Sequence, residues 1–258
     1  MRSFSETWGA LRGDGGFNWR TFGILVLTGL LSTLAILPMQ LYGQDLGILL
    51  WLIVVSTLLN TGILLVVAVG IGTFLHDRVG LHVHRWAADA MRRNGLASIL
   101  GLLSRALIVG LDAVVFVPLV QDAIIGGVVA ETPQAPFWTG FLAGFYGGIT
   151  EELLLRFGLM TLLVWGGWKL TGSDGVPSVG IVWAAIVFAA VLFGLGHLPA
   201  TTAVYELTPA VVVRAIILNG VVGIVFGWLY WRYDLTKAMV SHFSADMVLH
   251  VLLPTLFP

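Results

Sequence analysis

Seven long apolar runs separated by short polar connectors make up most of the chain, at roughly 21 to 41, 46 to 75, 96 to 129, 137 to 165, 179 to 198, 210 to 231 and 235 to 257. The hydrocarbon core of a bilayer takes about 20 residues as helix. Within it, only helices and closed barrels satisfy every backbone N–H and C=O. Runs of this length predict an all-α polytopic membrane bundle of seven spanning helices, or eight if the third run is two. That run is long for one span and contains Arg105, Asp112, Pro118 and Asp122, which predicts a broken helix or an extra short one. No internal repeat or low-complexity tract divides the pattern, so residues 1–258 read as a single membrane domain.

Composition agrees: the chain is 58% hydrophobic and 10% charged, whereas a soluble domain is about a quarter charged. The net charge of −1 gives no basis for nucleic-acid binding. Placement of the cations is more informative. Arg2, Arg12 and Arg20 lie in the tail, Arg78, Arg85, Arg92 and Arg93 in the 76–95 connector, and Lys169, Arg232 and Lys237 in the next two connectors on that side. The opposite connectors, around 42–45, 130–136 and 199–209, have no Lys or Arg. The positive-inside rule then makes residues 1–20 a cytoplasmic tail of a plasma-membrane protein and puts the C-terminus outside. The first run lacks a small-residue cleavage site and reads as a retained span. His76 to Gly95 reads equally as an interfacial helix or an ordinary loop. With no cysteine, disulfides, thiolate metal sites and cysteine nucleophiles are excluded.

Charges inside the runs carry the candidate chemistry. Each acidic or basic residue at a span centre costs roughly 2.5–3.5 kcal/mol on insertion scales, so the triplet in Glu151-Glu152-Leu153-Leu154-Leu155-Arg156 belongs in a protein interior or a wet cavity. Positions four apart share a helix face. Glu152 and Arg156 are therefore expected to pair, leaving Glu151 turned toward a partner on another helix, as a general base requires. A second polar point is His197, four residues after Phe193 at the end of the fifth run. A third is His242 with Asp246 one turn on, followed by His250. Singly, each is consistent with helix packing. Arg105, Asp112 and Asp122 are expected to pair with one another or to mark a break, Arg214 to snorkel, and Tyr233-Asp234 to be an interfacial anchor.

Taken together, Glu-Glu-x-x-x-Arg, then Phe-x-x-x-His, then His-x-x-x-Asp, each in its own span, resembles the CPBP membrane family, the CaaX-protease and bacteriocin-processing group that includes the Ras-converting endopeptidases and the Abi proteins. The resemblance covers residues 137–250. It implies a glutamate intramembrane endopeptidase without a cofactor. Glu151 is then the general base and His197 polarises the water, while His242 and Asp246 form the oxyanion side and Glu152, Arg156 and Phe193 give support. The implied partners are membrane lipids and a peptide or protein substrate, with a prenylated C-terminal tail as the best-known class. The form with Asn at the last motif position differs from Asp246 here. An ionised Asp246 would repel an oxyanion, so it must be protonated or must orient His242.

Other chemistries lack their signatures: no His-Glu-x-x-His, Gly-x-Gly-Asp or Gly-x-Ser-x-Gly occurs. Zinc held by Glu151, His197 and His242 is an alternative, as is a non-catalytic immunity or scaffold protein of the same fold. An ion-coupled carrier would call for repeat symmetry. Seven straight spans would put His197 at the outer end of its helix and His242 near the inner end of its own. For both to reach Glu151, one segment must be sunk, tilted, broken or re-entrant, and Gly194, Gly196 and Pro199 mark the end of the fifth run as a candidate.

Overall fold

The computed structural model describes residues 17–43, 47, 49–84, 89–125, 135–172 and 175–257. Seven helices among them are long and apolar enough to span a membrane: α1 (Trp19–Gln40), α2 (Leu49–Val79), α3 (Ala90–Ala123), α4 (Phe137–Leu170), α5 (Val179–Thr201), α6 (Pro209–Arg232) and α7 (Leu235–Leu256). Arg2, Arg12 and Arg85, the tail through residue 16, and much of the 42–45 and 130–136 connectors lie outside the described residues. The third run is one helix rather than two. Its polar interruption appears as a π turn at Asp112–Phe116, followed by Pro118 in a short α turn and a 3₁₀ turn at Gln121–Ala123.

Helices α4 and α7 are central. The first half of α4 packs on α1 and α7, its second half on α2, and α7 also packs on α3 and α6, with α5 against α6. The core joins Leu153, Phe157 and Met160 of α4 to Phe193 of α5, Phe226 and Tyr230 of α6, and Leu235 and Ala238 of α7. Only 11% of the most apolar window of α2 is buried, against 39% for α4, so α2 is largely a lipid-facing wall. Small residues let backbones touch where α7 is gripped. A Cβ on Gly101 of α3 would strike the Ser241 carbonyl, and one on Gly140 of α4 the His250 carbonyl.

The start of α7 resolves the depth conflict. Asp234, Leu235, Lys237 and Ala238 are at most 1% exposed, because the connector after α2 folds over them as a roof. His82 and Val83 offer carbonyls that accept the Leu235 and Thr236 N–H groups at 2.9 and 3.3 Å, two of the donors that a helix start leaves unmet. Of His76 to Gly95, the described residues form one 3₁₀ turn, His76–Val79, then non-helical chain through residue 84, and from Ala90 onward the start of α3, so among the described residues there is no separate interfacial helix. Asp234 is correspondingly no interfacial anchor: it accepts the Lys237 N–H as N-cap at 3.1 Å, and both its oxygens lie 3.3 Å from Lys237 Nζ. Lys237 is thus an interior cation rather than a connector charge. At 1.5 Å rise per residue, His242 sits about 10 Å along a helix that already begins inside the bundle. From the other side, the regular part of α5 ends at Gly196, and His197 occupies a corner before one last turn, Leu198–Thr201.

The remaining charges also find other partners than expected. Asp112 receives a bidentate pair from Arg214, Nε at 2.7 Å and Nη2 at 2.6 Å, so Arg214 does not snorkel. Arg105 turns to α7 instead, with Nη2 at 3.8 Å from Asp246 Oδ1. Removing one partner of a buried ion pair strands the other charge. Asp234→Ala is expected to cost about 3–5 kcal/mol, measured as a lowered midpoint of denaturant unfolding in detergent, with Asp234→Asn costing less because the cap acceptor survives.

Candidate active site

The Glu pair sits in an unusual stretch of helix. α4 winds as π-helix over Tyr146–Glu151 and again over Leu153–Met160, a geometry that occurs mostly as single-turn bulges and often at functional sites. Thr150 holds this stretch to α1: its hydroxyl donates to the Gly29 carbonyl at 2.9 Å and meets Ser32 Oγ at 2.5 Å. The backbone beside the two glutamates is therefore fixed to a second helix.

Glu152 is fully buried, and Arg156 and His242 are 1% exposed. As the spacing predicts, Arg156 Nη1 lies 2.9 Å from Glu152 Oε1. The same oxygen lies 2.8 Å from His242 Nδ1. An ionised carboxylate only accepts, so Nδ1 carries the proton, and Nε2 is left facing Glu151 Oε2 at 3.5 Å and Asp246 Oδ2 at 3.7 Å. His242 is thus oriented by Glu152. Asp246, for which orienting His242 is one of the two expected roles, is beyond hydrogen-bond distance from the ring and has Arg105 nearest its other oxygen.

An aromatic frame holds these groups. The His242 ring stacks on Phe226 at 4.4 Å and meets the edge of Phe193 at 5.6 Å. The Arg156 guanidinium lies 4.9 Å from the Phe193 ring and 5.3 Å from that of Phe226, and its Nη2 donates to the Gly223 carbonyl at 3.0 Å. Phe193 also meets His197 edge-on at 4.7 Å. His197 Nδ1 donates to the Phe193 carbonyl at 2.8 Å, which leaves its Nε2 as the acceptor.

A cavity of about 530 Å³ opens beside this set, lined among others by Glu151, His197, His242, Asp246, Tyr146 and Asn219, a volume typical of small-ligand sites. Glu151 is the accessible carboxylate of the pair: its side chain is 21% exposed, against 0% for Glu152. Glu151, Glu152, Arg156, His242 and Asp246 are linked by direct contacts, while His197 joins them across the cavity and through Phe193. Among the described residues, no group of three or more His, Asp or Glu side chains is placed to hold one metal ion. The set Glu151, His197 and His242 shares a cavity without converging on a point. The spacing gave no hint of Arg105, Thr150 or Asn219 as site neighbours; a lone arginine in the third run was the one available signal.

A buried carboxylate–histidine–arginine set beside a cavity, inside seven helices able to span a bilayer, defines a polytopic membrane protein with an intramembrane polar site. Residues 133–248 match the family model described as type II CAAX prenyl endopeptidase, Rce1-like. That match spans the segment from α4 into α7, which holds every motif residue above. No curated protein and no solved structure matches the chain.

Gly147 packs directly against the site. A Cβ there would strike Asp246 Oδ2 and come within 3.0 Å of His242 Nε2. Gly147→Ala is expected to cost about 1–3 kcal/mol, the range for overpacking a close contact, read as a lowered midpoint of denaturant unfolding in detergent. Gly110→Ala, which meets open space, is expected not to lower that midpoint.

Proposed function

We propose that the chain is an intramembrane endopeptidase that hydrolyses a peptide bond near the C-terminus of a membrane-associated peptide or protein, the prenylated CaaX-type tail being the class the family description names. The observation that carries this reading is the division of labour between adjacent carboxylates: Glu152 is sealed and neutralised, while Glu151 faces the cavity. In the proposed reaction, a water between Glu151 and His197 Nε2 gives its proton to Glu151 as its oxygen attacks the scissile carbonyl. The oxyanion forms on the His242 side, where His242 takes up a second proton on Nε2 and donates it as an imidazolium held by Glu152, and the proton on Glu151 passes to the leaving nitrogen. Asp246 does not repel the oxyanion because Arg105 counters its charge from behind, an answer open to neither Asp246 nor His242 alone. No metal is required by this route.

Orientation is part of the proposal. The cavity wall reaches Ile36, Met39 and Gln40 of α1 and Pro199 and Ala200 of α5, at the helix ends whose connectors lack Lys and Arg. With the N-terminus cytoplasmic in the plasma membrane, substrate enters from the outer half of the bilayer.

Glu151→Gln is expected to abolish cleavage of a peptide library, offered with and without prenylated tails, while shifting the melting temperature by only a few degrees. A strong chelator is expected to leave wild-type turnover intact. Retained cleavage in Glu151→Gln refutes the assigned base, and loss of cleavage on chelation, restored by zinc, reinstates the metal alternative. The absence of cysteine gives a clean background for topology: Gln40→Cys in intact cells is expected to react with an impermeant maleimide, and Arg78→Cys only after lysis.

A further inference from the structure

Arg105 enters the hydrolysis proposed above only as a counter-charge, and it lies in α3, outside the family-matched segment. Its side chain is 6% exposed, and its nearest anion, Asp246 Oδ1, is 3.8 Å away, too far for a hydrogen bond. Its Nε is buried with no hydrogen-bond partner. A guanidinium carries five N–H donors in a planar fork that suits a carboxylate, and burying such donors unmet is costly.

The surroundings indicate what would meet them. Arg105 lines both the main cavity and a second chamber of about 300 Å³, and His197, Asn219 and Leu249 also line both. The second chamber is otherwise largely apolar, with Ile108, Val109 and Leu218 in its wall. Its other guanidinium, Arg214, is already engaged bidentately by Asp112. Arg105 is therefore the cation with donors to spare, at the junction of the cavity that holds Glu151 and an apolar chamber. An occupant that matches has small apolar side chains and ends in an anion.

We propose that Arg105 binds the free C-terminal carboxylate of the peptide substrate, with the apolar side chains of the leaving segment in the second chamber. The inference rests on the endopeptidase reading for its substrate class. It also limits where the cut falls. Glu151 and Arg105 are linked through His242 and Asp246 by contacts of 3.5, 3.7 and 3.8 Å, and an extended chain advances about 3.3–3.6 Å per residue. Only a few residues fit between the scissile bond and the carboxylate. Arg105 is thereby a specificity-determining residue, and internal loops or amidated tails are poor substrates.

The test is binding, measured apart from turnover, of one short apolar peptide prepared as the free acid and as the C-terminal amide, to the full-length protein in neutral detergent. The wild type is expected to bind the acid at least about ten-fold more tightly, the scale of a charged hydrogen bond. Arg105→Gln is expected to bind both forms equally, and Arg105→Lys, which keeps the charge but not the fork, to fall between. Equal binding of acid and amide by the wild type overturns the proposal without recourse to any variant. So does an acid preference that survives in Arg105→Gln, or acid binding that is abolished by an anionic lipid and unaffected by amidation, which would assign the cation to a headgroup. Cleavage is scored in the same samples: a peptide held by its carboxylate but never cut counts against hydrolysis and leaves the role of Arg105 standing.

Discussion

A carboxylate with no exposure to solvent must have its charge answered by protein groups, and Glu152 imposes that requirement on three helices at once. Its Oε1 draws Arg156 from the same helix and His242 from α7. Arg156 in turn donates to the Gly223 carbonyl of α6. The rings of Phe193 and Phe226 flank the Arg156 guanidinium and the His242 imidazole and bring α5 and α6 into the same frame. Replacing such a network by apolar side chains is often neutral for stability, so its presence here is better accounted for by what it positions: one imidazole, with one nitrogen committed and the other turned to the cavity.

The rest of the site follows from that placement. With Nδ1 of His242 held by Glu152, the space at Nε2 is shared by Glu151 and Asp246, and Gly147 is the residue that lets α4 and α7 come close enough for the three to meet. The carboxylate adjacent in sequence to the structural one is left accessible. One step along a helix separates a sealed charge from a reachable one. The π winding of α4, pinned by Thr150 to α1, sets that step.

Much of this was legible in the residues, for reasons that are themselves physical. Apolar length gave the spans, because a bilayer permits few alternatives. Spacing of four gave the Glu152–Arg156 pair, because it depends on one helix alone. The links Glu152–His242, Arg105–Asp246 and Arg214–Asp112 depend on how far one helix is turned and sunk relative to another, and no local pattern records that. Tyr233-Asp234 shows the same limit: as a polar pair at a helix start it reads as a surface anchor, and only the fold of residues 76–84 over it makes it interior. The straight-span picture failed at His197 and His242 because it assumed that every helix begins at the membrane surface.

The buried start of α7 also has a consequence for how the protein is made. Along with α4, α7 is among the least apolar of the seven, with a mean hydropathy of 1.2 in its best window against 2.5 for α2 and α5, and it carries Asp234, Lys237, His242, Asp246 and His250. Such a segment partitions poorly into lipid alone. It leaves the ribosome after α1 to α6, so the groups that neutralise it, the roof at His82 and Val83, Arg105 of α3 and Glu152 of α4, precede it into the membrane. Membrane integration of α7 and assembly of the site are then a single event. A chain that fails to build the polar centre would leave this segment in water, available to quality control.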